Sequence, residues 1–278
     1  MPGLNRAGIE LSGNRVYQNL YRLVLLGQKE HDYLQTLTTS IRKERYELVL
    51  SLKPPAILLS KNFVDPALVK LCEQHGIPLL RSETMSSSDL QTTIGSFLAE
   101  ELMPFNMIHG VLLEMSGEGI LIQGPSGIGK SEIALELMKK GHMLIGDDAI
   151  AVGRISQRLL GKADAIVRNF MEVRGLGILN VSRMFGIDRI KRSTYISACV
   201  ELIKTDNDKH VDFERVGSEQ QMMMIEGVKV PYYRFPVSPG RKVADLIEAA
   251  VIDLKLRREG HNSAQEFLAQ HDKISNKK

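Results

Sequence analysis

The sequence predicts an α/β protein, with an amino-terminal α/β domain over residues 1–103 and a P-loop-containing α/β domain with a central sheet over residues 104–278. Three observations predict it. A β-α-β pattern runs through "AILLSKNFVDPALVKLCEQHGIPLL". A strand, a glycine-rich loop and a helix follow one another in "GILIQGPSGIGKSEIALELMKK". Pro104 closes an amphipathic segment between the two. The chain has 278 residues, 43% hydrophobic and 25% charged, enough for one large domain or two ordinary ones with ample core material.

In the first half, residues 56–60 are a short apolar run that reads as a buried strand. Asp65 is placed to cap a helix, with Pro66 at its first position, and Gly76 to stop it. Residues 77–80 read as the next buried strand, which completes a β-α-β unit, and upstream "YELVLSL" is expected to supply part of another such unit. No catalytic cluster is visible here, so packing or assembly is the expected role. "SETMSSSDLQTTIGSFLAEEL" then becomes a helix with Ile94, Phe97, Leu98 and Leu102 on one apolar face, and residues 100–106 form the linker. Beyond it, "MIHGVLLEM" and "GILIQG" read as two strands with Gly117-Glu118-Gly119 as the hairpin turn. Near the end, Val243, Leu246, Ile247, Ala250, Val251 and Leu254 form the stripe of a helix stopped by Gly260.

Charge and cysteines narrow the classes. A net charge of +3 with scattered Lys and Arg is too small for a dedicated nucleic-acid binder. Cys72 and Cys199 form no C-x-x-C pair, which suits free thiols in a reducing cytoplasm. The opening residues lack an apolar signal core, and no run approaches the roughly 20 apolar residues of a membrane helix, so a soluble intracellular protein without a membrane partner is expected.

The chemistry is concentrated in one stretch. Gly124, Pro125, Ser126, Gly127, Ile128, Gly129, Lys130 and Ser131 fit the phosphate-loop pattern G-x-x-x-x-G-K-[ST], between an apolar strand and a helix. Glycines let backbone N–H groups turn inward around phosphate oxygens, and the helix start adds its positive dipole end. Lys130 is placed to reach the outer phosphates and Ser131 to hold Mg²⁺. The next apolar run ends in Asp147-Asp148, and in a parallel sheet that end would lie beside the loop. Carboxylates there suit either Mg²⁺ binding or acceptance of a proton from an attacking hydroxyl. The [NT]-K-x-D signature of GTP readers is missing, since its nearest match at residues 203–206 lacks the first residue.

Three further stretches, "FMEVRGLGILNVSRMFG", "FPVSPGRKVADLIEAAVIDLKLRREGHNSAQEF" and "IHGVLLEM", together with "GPSGIGKSE" and "GDDAI", resemble the HPr kinase/phosphorylase family. The resemblance runs over residues 107–267 and more loosely into the first half through "PGLNRAGIELSG", "PPAILL" and "GIPLLRS". It implies a bifunctional enzyme of the bacterial cytoplasm, whose second domain is a kinase domain. Such an enzyme uses ATP to phosphorylate a serine of the phosphocarrier protein HPr. It also removes that phosphate by phosphorolysis, with inorganic phosphate as attacker and pyrophosphate as product. The family's assembly is a hexamer.

The resemblance assigns roles residue by residue. Gly124–Ser131 bind nucleotide, phosphate and pyrophosphate, with Lys130 also catalytic. Asp148 matches the general base, His109 a catalytic histidine and Arg215 a catalytic arginine; Asp147 is left as a residue that shapes the site. Ser131 and Glu172 match Mg²⁺ ligands. Arg174 reads equally as a phosphate contact or as the ion-pair partner of Glu172. Pro236, Val237, Ser238, Pro239, Gly240 and Arg241 match a segment required chiefly for dephosphorylation. Many members carry Arg where this chain has Ser238, and a polar or acidic residue where it has Pro125. Two alternatives stand beside this reading: a non-catalytic ATP-sensing regulator of the same fold, and a kinase of another hydroxyl substrate.

Overall fold

The computed structural model describes residues 3–14, 22–204 and 219–275. The chain divides into two compact units, Met1–Met103 and Pro104–Lys278.

The first unit runs β1 (Gly3–Arg6), α1 (Gly8–Leu11), β2 (Arg22–Leu26), α2 (Gln28–Gln35), α3 (Thr39–Ser51), β3 (Ile57–Leu59), α4 (Pro66–His75), β4 (Leu79–Arg81) and α5 (Ser87–Glu101). Its four strands pair in parallel in the order β1-β2-β3-β4. Local chemistry sets the limits of α4. The Asp65 carboxylate accepts the Ala67 N–H at 2.9 Å, Pro66 opens the first turn, and Gly76 closes it in the left-handed region at φ 64.

Residues 46–52 lie in the helical part of a second β-α-β unit, between the parallel strands β2 and β3: Thr38 caps α3 through its side chain, and Tyr46, Val49 and Leu50 are buried at helical spacing. The apolar run carries a 3.6-residue period that reaches back to Tyr46. In α5, Leu90 and Ile94 meet Leu25 and Leu58, but Phe97 and Leu102 are 54% and 49% exposed. The buried contacts of α5 gather in its first half, so the apolar face expected from sequence is only partly covered.

The second unit runs β5 (Asn106–His109), β6 (Val111–Met115), β7 (Glu118–Gln123), α6 (Lys130–Lys139), β8 (Met143–Gly146), β9 (Ala149–Ile155), β10 (Arg158–Lys162), β11 (Phe170–Val173), β12 (Gly177–Asn180), α7 (Val181–Phe185), β13 (Ser193–Lys204), β14 (Met222–Ile225), β15 (Val228–Val237), α8 (Val243–Arg258) and α9 (Ser263–Ser275). A mixed sheet has the order β5-β9-β10-β13-β7-β6-β8, with β15 added to β13 and β14 to β15; β11 and β12 form a separate hairpin. "MIHGVLLEM" is broken at Gly110, where a side chain would meet the Ile122 carbonyl oxygen at 2.6 Å. Its two halves find different partners, β9 for β5 and β7 with β8 for β6. The β6–β7 turn is the two residues Ser116-Gly117, with φ 52 and 86, and Glu118 already pairs with Met115. Two successive positive φ values match the twist of a tight hairpin, which displaces the turn from the expected Gly117-Glu118-Gly119.

The sheet separates two apolar layers. On one face Val111, Leu113, Ile120 and Ile122 meet α6 through Ala134 and Leu137, and α8 through Ile247, Val251 and Leu254. On the other, Leu112, Leu121, Val152, Leu159 and Cys199 form a second cluster. Leu246 and Ala250 of the expected α8 stripe are half-buried, and Ala244 is fully buried instead.

Strand directions place the site. β7, β13 and β15 are mutually parallel. β8 is not a neighbour of β7, as a simple parallel sheet would have it: β6 lies between them, antiparallel to both. Two reversals restore the direction, so the carboxyl ends of β7, β8, β13 and β15 lie at one end of the sheet. Among the described residues no helix is long and apolar enough to cross a membrane.

Candidate active site

The loop leaving β7 is shaped by three glycines with positive φ: Gly124 at 149, Gly127 at 74 and Gly129 at 103. At Gly124 a Cβ would sit 2.7 Å from the Leu202 carbonyl oxygen of β13, so the chain passes too close for any side chain. Gly129 caps α6 with no side chain of its own, leaving the first-turn N–H groups open to an anion. Lys130 is buried, and its Nζ donates to the carbonyl oxygens of Gly124 at 3.0 Å and Pro125 at 3.3 Å. Pro125 therefore serves the loop through its carbonyl, which proline keeps, rather than the N–H it lacks.

Asp147 and Asp148 connect β8 to β9 and take different environments. Asp147 is half-buried: Ser131 Oγ donates to its Oδ1 at 3.1 Å and the Glu172 N–H to its Oδ2 at 3.1 Å. Burial raises the Asp147 carboxyl above its ordinary value, against the lowering effect of the hydrogen bonds from Ser131, Glu172 and Asp148. Asp148 is exposed and sits at φ 69, and across it the Ala149 N–H donates to the Asp147 carbonyl at 2.9 Å. A non-glycine residue in this region is strained, a state that persists only where the surroundings enforce it. The enforcement is visible: Gly110 N–H donates to the Asp148 carbonyl at 3.1 Å, and the β5–β9 register sets His109 opposite Ala149. His109 Nδ1 thereby comes to 3.1 Å from Asp148 Oδ1.

The β11–β12 hairpin closes the cleft. Met171 and Val173 point into the core, so Glu172 and Arg174 alternate outward. The Arg174 guanidinium lies against Gly127, 3.0 Å from where a Cβ would be. Among the described residues it forms no ion pair with Glu172. His109, Ser126, Gly127, Gly129, Lys130, Ser131, Glu132, Asp147, Asp148, Glu172 and Arg174 line one cleft.

Most of the residues expected from sequence are thus gathered in one place, from the loop, the start of α6, β5, the β8–β9 turn and β11. Pro236–Arg241 is not part of the lining. It forms the end of β15 and the turn into α8, at the same end of the sheet as the loop, with Gly240 at φ 81. Arg215 lies outside the described residues. Sequence reasoning passed over Glu132, and it undervalued Asp147, which joins the loop helix to β11.

The amino-acid pattern of this cleft has counterparts. Residues 1–98 match the family model described as the HPr Serine kinase N terminus, and residues 100–271 the HPr Serine kinase C-terminal domain. This chain belongs to the HPr serine kinase family. Relatives in that family include the HPr kinase/phosphorylase of Mycoplasma genitalium, 40% identical over 96% of this chain and 86% of its own length. The Mycoplasma pneumoniae protein of the same name is 39% identical over 100% and 89%. Among solved structures, the HPr(Ser) kinase/phosphatase of Coxiella burnetii superposes with a TM-score of 0.52 at 30% identity, covering 58% of this chain and 98% of that one. The cleft described above holds the loop, the Asp147-Asp148 turn and the β11–β12 hairpin together within one unit.

Proposed function

We propose that this protein is a bifunctional HPr kinase/phosphorylase. It transfers the γ-phosphoryl group of ATP to a serine of HPr and returns it by phosphorolysis to inorganic phosphate. The observation that carries this reading is the strained turn that holds the Asp148 carboxylate against His109 at the mouth of the phosphate loop.

In the kinase direction the seryl oxygen attacks the γ-phosphorus while Asp148 accepts its proton. The seryl O–P bond forms as the bond to the β–γ bridging oxygen breaks, and ADP leaves. In the other direction a phosphate oxygen attacks the phosphoserine phosphorus. Pyrophosphate forms, and the departing seryl oxygen takes a proton from Asp148. One residue serves both directions because each is the reverse of the same proton movement. His109 orients the Asp148 carboxylate, Lys130 and the N–H groups of the loop hold phosphoryl oxygens, and Arg174 adds charge at Gly127.

The donor set fits Mg²⁺. Ser131 Oγ, the Asp147 carboxylate and Glu172 offer oxygen only, and the Ser131–Asp147 hydrogen bond brings two of them to 3.1 Å. Ser131 and Glu172 would hold the ion with Asp147 behind them; when bound, Mg²⁺ neutralises charge on the phosphates. Among the described residues no three His, Cys, Asp or Glu side chains are close enough to hold a metal by themselves. That suits an ion that keeps several waters and takes phosphate oxygens as ligands. Arg215 and Pro236–Arg241 are proposed to act with this cleft, the latter in dephosphorylation. A cytoplasmic homohexamer is the proposed form.

A paired assay tests the reading. One arm supplies ATP, Mg²⁺ and HPr; the other supplies serine-phosphorylated HPr and inorganic phosphate, with pyrophosphate as the readout. Activity in both arms is expected. Unmodified HPr in the first arm, with ATP still bound, would leave a sensor or a kinase of another substrate.

A further inference from the structure

The β11–β12 hairpin carries more than its two cleft residues. Met171 and Val173 are 1% and 4% exposed and belong to the core, so strand alternation turns Phe170, Glu172 and Arg174 the other way. The register pairs Glu172 with Ile178, and directly opposed side chains on one face stand about 5 Å apart. Ile178 is 75% exposed, and Leu176, in the turn between the strands, is 68% exposed. Phe170, at the start of β11, is 41% exposed. A single exposed leucine needs no explanation, but three large apolar side chains on one short hairpin, two of them on the face of Glu172 and the third in the turn, make a patch.

Position decides what covers it. For the serine of HPr to reach Asp148, HPr must occupy the mouth of the cleft, so that mouth is already an interface with HPr. Glu172 lines the mouth, and Ile178 is its cross-strand neighbour, so the apolar face continues the interface outward. A patch of three side chains also suits a substrate that must leave after every turnover, since it is far smaller than the core of a permanent interface.

We propose that Phe170, Leu176 and Ile178 form a docking surface for HPr, covered by HPr when its acceptor serine reaches Asp148. This rests on the HPr reading above and extends it to how the protein substrate is held. Specificity then comes from the hairpin, while the phosphate loop supplies the chemistry common to many kinases.

The test is a Leu176→Ser/Ile178→Ser double variant, compared with wild type in three measurements. These are steady-state kinetics with HPr and with ATP varied, calorimetric titration of HPr in the presence of a non-hydrolysable ATP analogue, and sedimentation velocity. Both positions are highly exposed, so folding should survive. The expected result is a rise of about tenfold or more in the KM and Kd for HPr, as for loss of an interface anchor, with the KM for ATP and the sedimenting mass unchanged. An unchanged HPr affinity overturns the proposal. A raised KM for ATP alone overturns it in favour of a nucleotide-binding face, and a changed mass in favour of a contact between copies of this chain. Wild-type protein that neither binds nor phosphorylates HPr brings down the HPr reading itself. Wild-type protein that binds HPr, with no loss in the variant, brings down only the docking face.

Discussion

His109 Nδ1 lies 3.1 Å from Asp148 Oδ1, although one residue ends β5 and the other follows β8. The contact exists because β5 pairs with β9, the strand that Asp148 opens into, and both side chains remain more than half exposed to an incoming substrate. Replacing Asp148 by Asn keeps the shape and removes the proposed proton acceptor. Turnover in both the kinase and the phosphorolysis arms is expected to fall by roughly 10²–10⁴-fold. ATP binding, measured by calorimetry, should change little. Loss in one arm only would show that the two directions use different bases.

Glu114 is a buried carboxylate on β6, far from the cleft chemistry. Burial raises its carboxyl, but hydrogen bonds from Lys191 and Thr194 and the Lys191 charge outweigh it and hold it below the ordinary value. A lowered folded-state value gives stability that is present above the ordinary carboxylate range and is lost as the pH falls through the folded value. Glu114→Gln should therefore cost on the order of 1–3 kcal/mol at neutral pH. The gap to wild type should close in acid. Urea unfolding across the acid range checks both parts.

Ser238 follows the last residue of β15, in a turn where the Arg241 N–H donates to its carbonyl at 3.2 Å. The turn lies at the phosphate-loop end of the sheet, where one more positive charge would favour a doubly charged anion. Ser238→Arg is expected to lower the KM for inorganic phosphate several-fold in phosphorolysis and leave the KM for ATP within about twofold. Initial-rate measurements at fixed phosphoserine-HPr decide it, and an unchanged phosphate KM would remove Ser238 from the phosphate site.

Both cysteines are buried, and burial pushes the thiol of Cys72 up to about 11 and that of Cys199 to about 12. Their thiolate fraction near pH 8 is negligible. Iodoacetamide should leave both unmodified in the native protein and label both in urea, as read by mass spectrometry. Rapid native labelling of either would mean that its unit opens readily.

The parts of the fold legible in sequence are those fixed by neighbours along the chain. Asp65, Pro66 and Gly76 delimit α4 through contacts within four residues of themselves. The phosphate loop is legible for the same reason, since its glycines answer local φ requirements. What sequence did not reveal depends on partners far along the chain. Gly110 divides β5 from β6 because each half finds a different strand. The insertion of β6 between β7 and β8 has no local mark at all. Asp147 and Asp148 are chemically identical in a string of letters. Only the packing of β11 against the loop helix makes one a half-buried tie and leaves the other exposed.

The Ser116-Gly117 turn opens one further possibility. It lies at the amino end of β7, so the length of that strand separates it from the phosphate loop at the other end. The same strand that delivers the loop thus begins, at its far side, in an exposed two-residue bend. A fluorophore attached at that bend would ride on the sheet at a fixed distance from the phosphate loop. Paired with a labelled nucleotide or a labelled HPr, it offers one end of an energy-transfer ruler by which the arrival of each could be followed in real time.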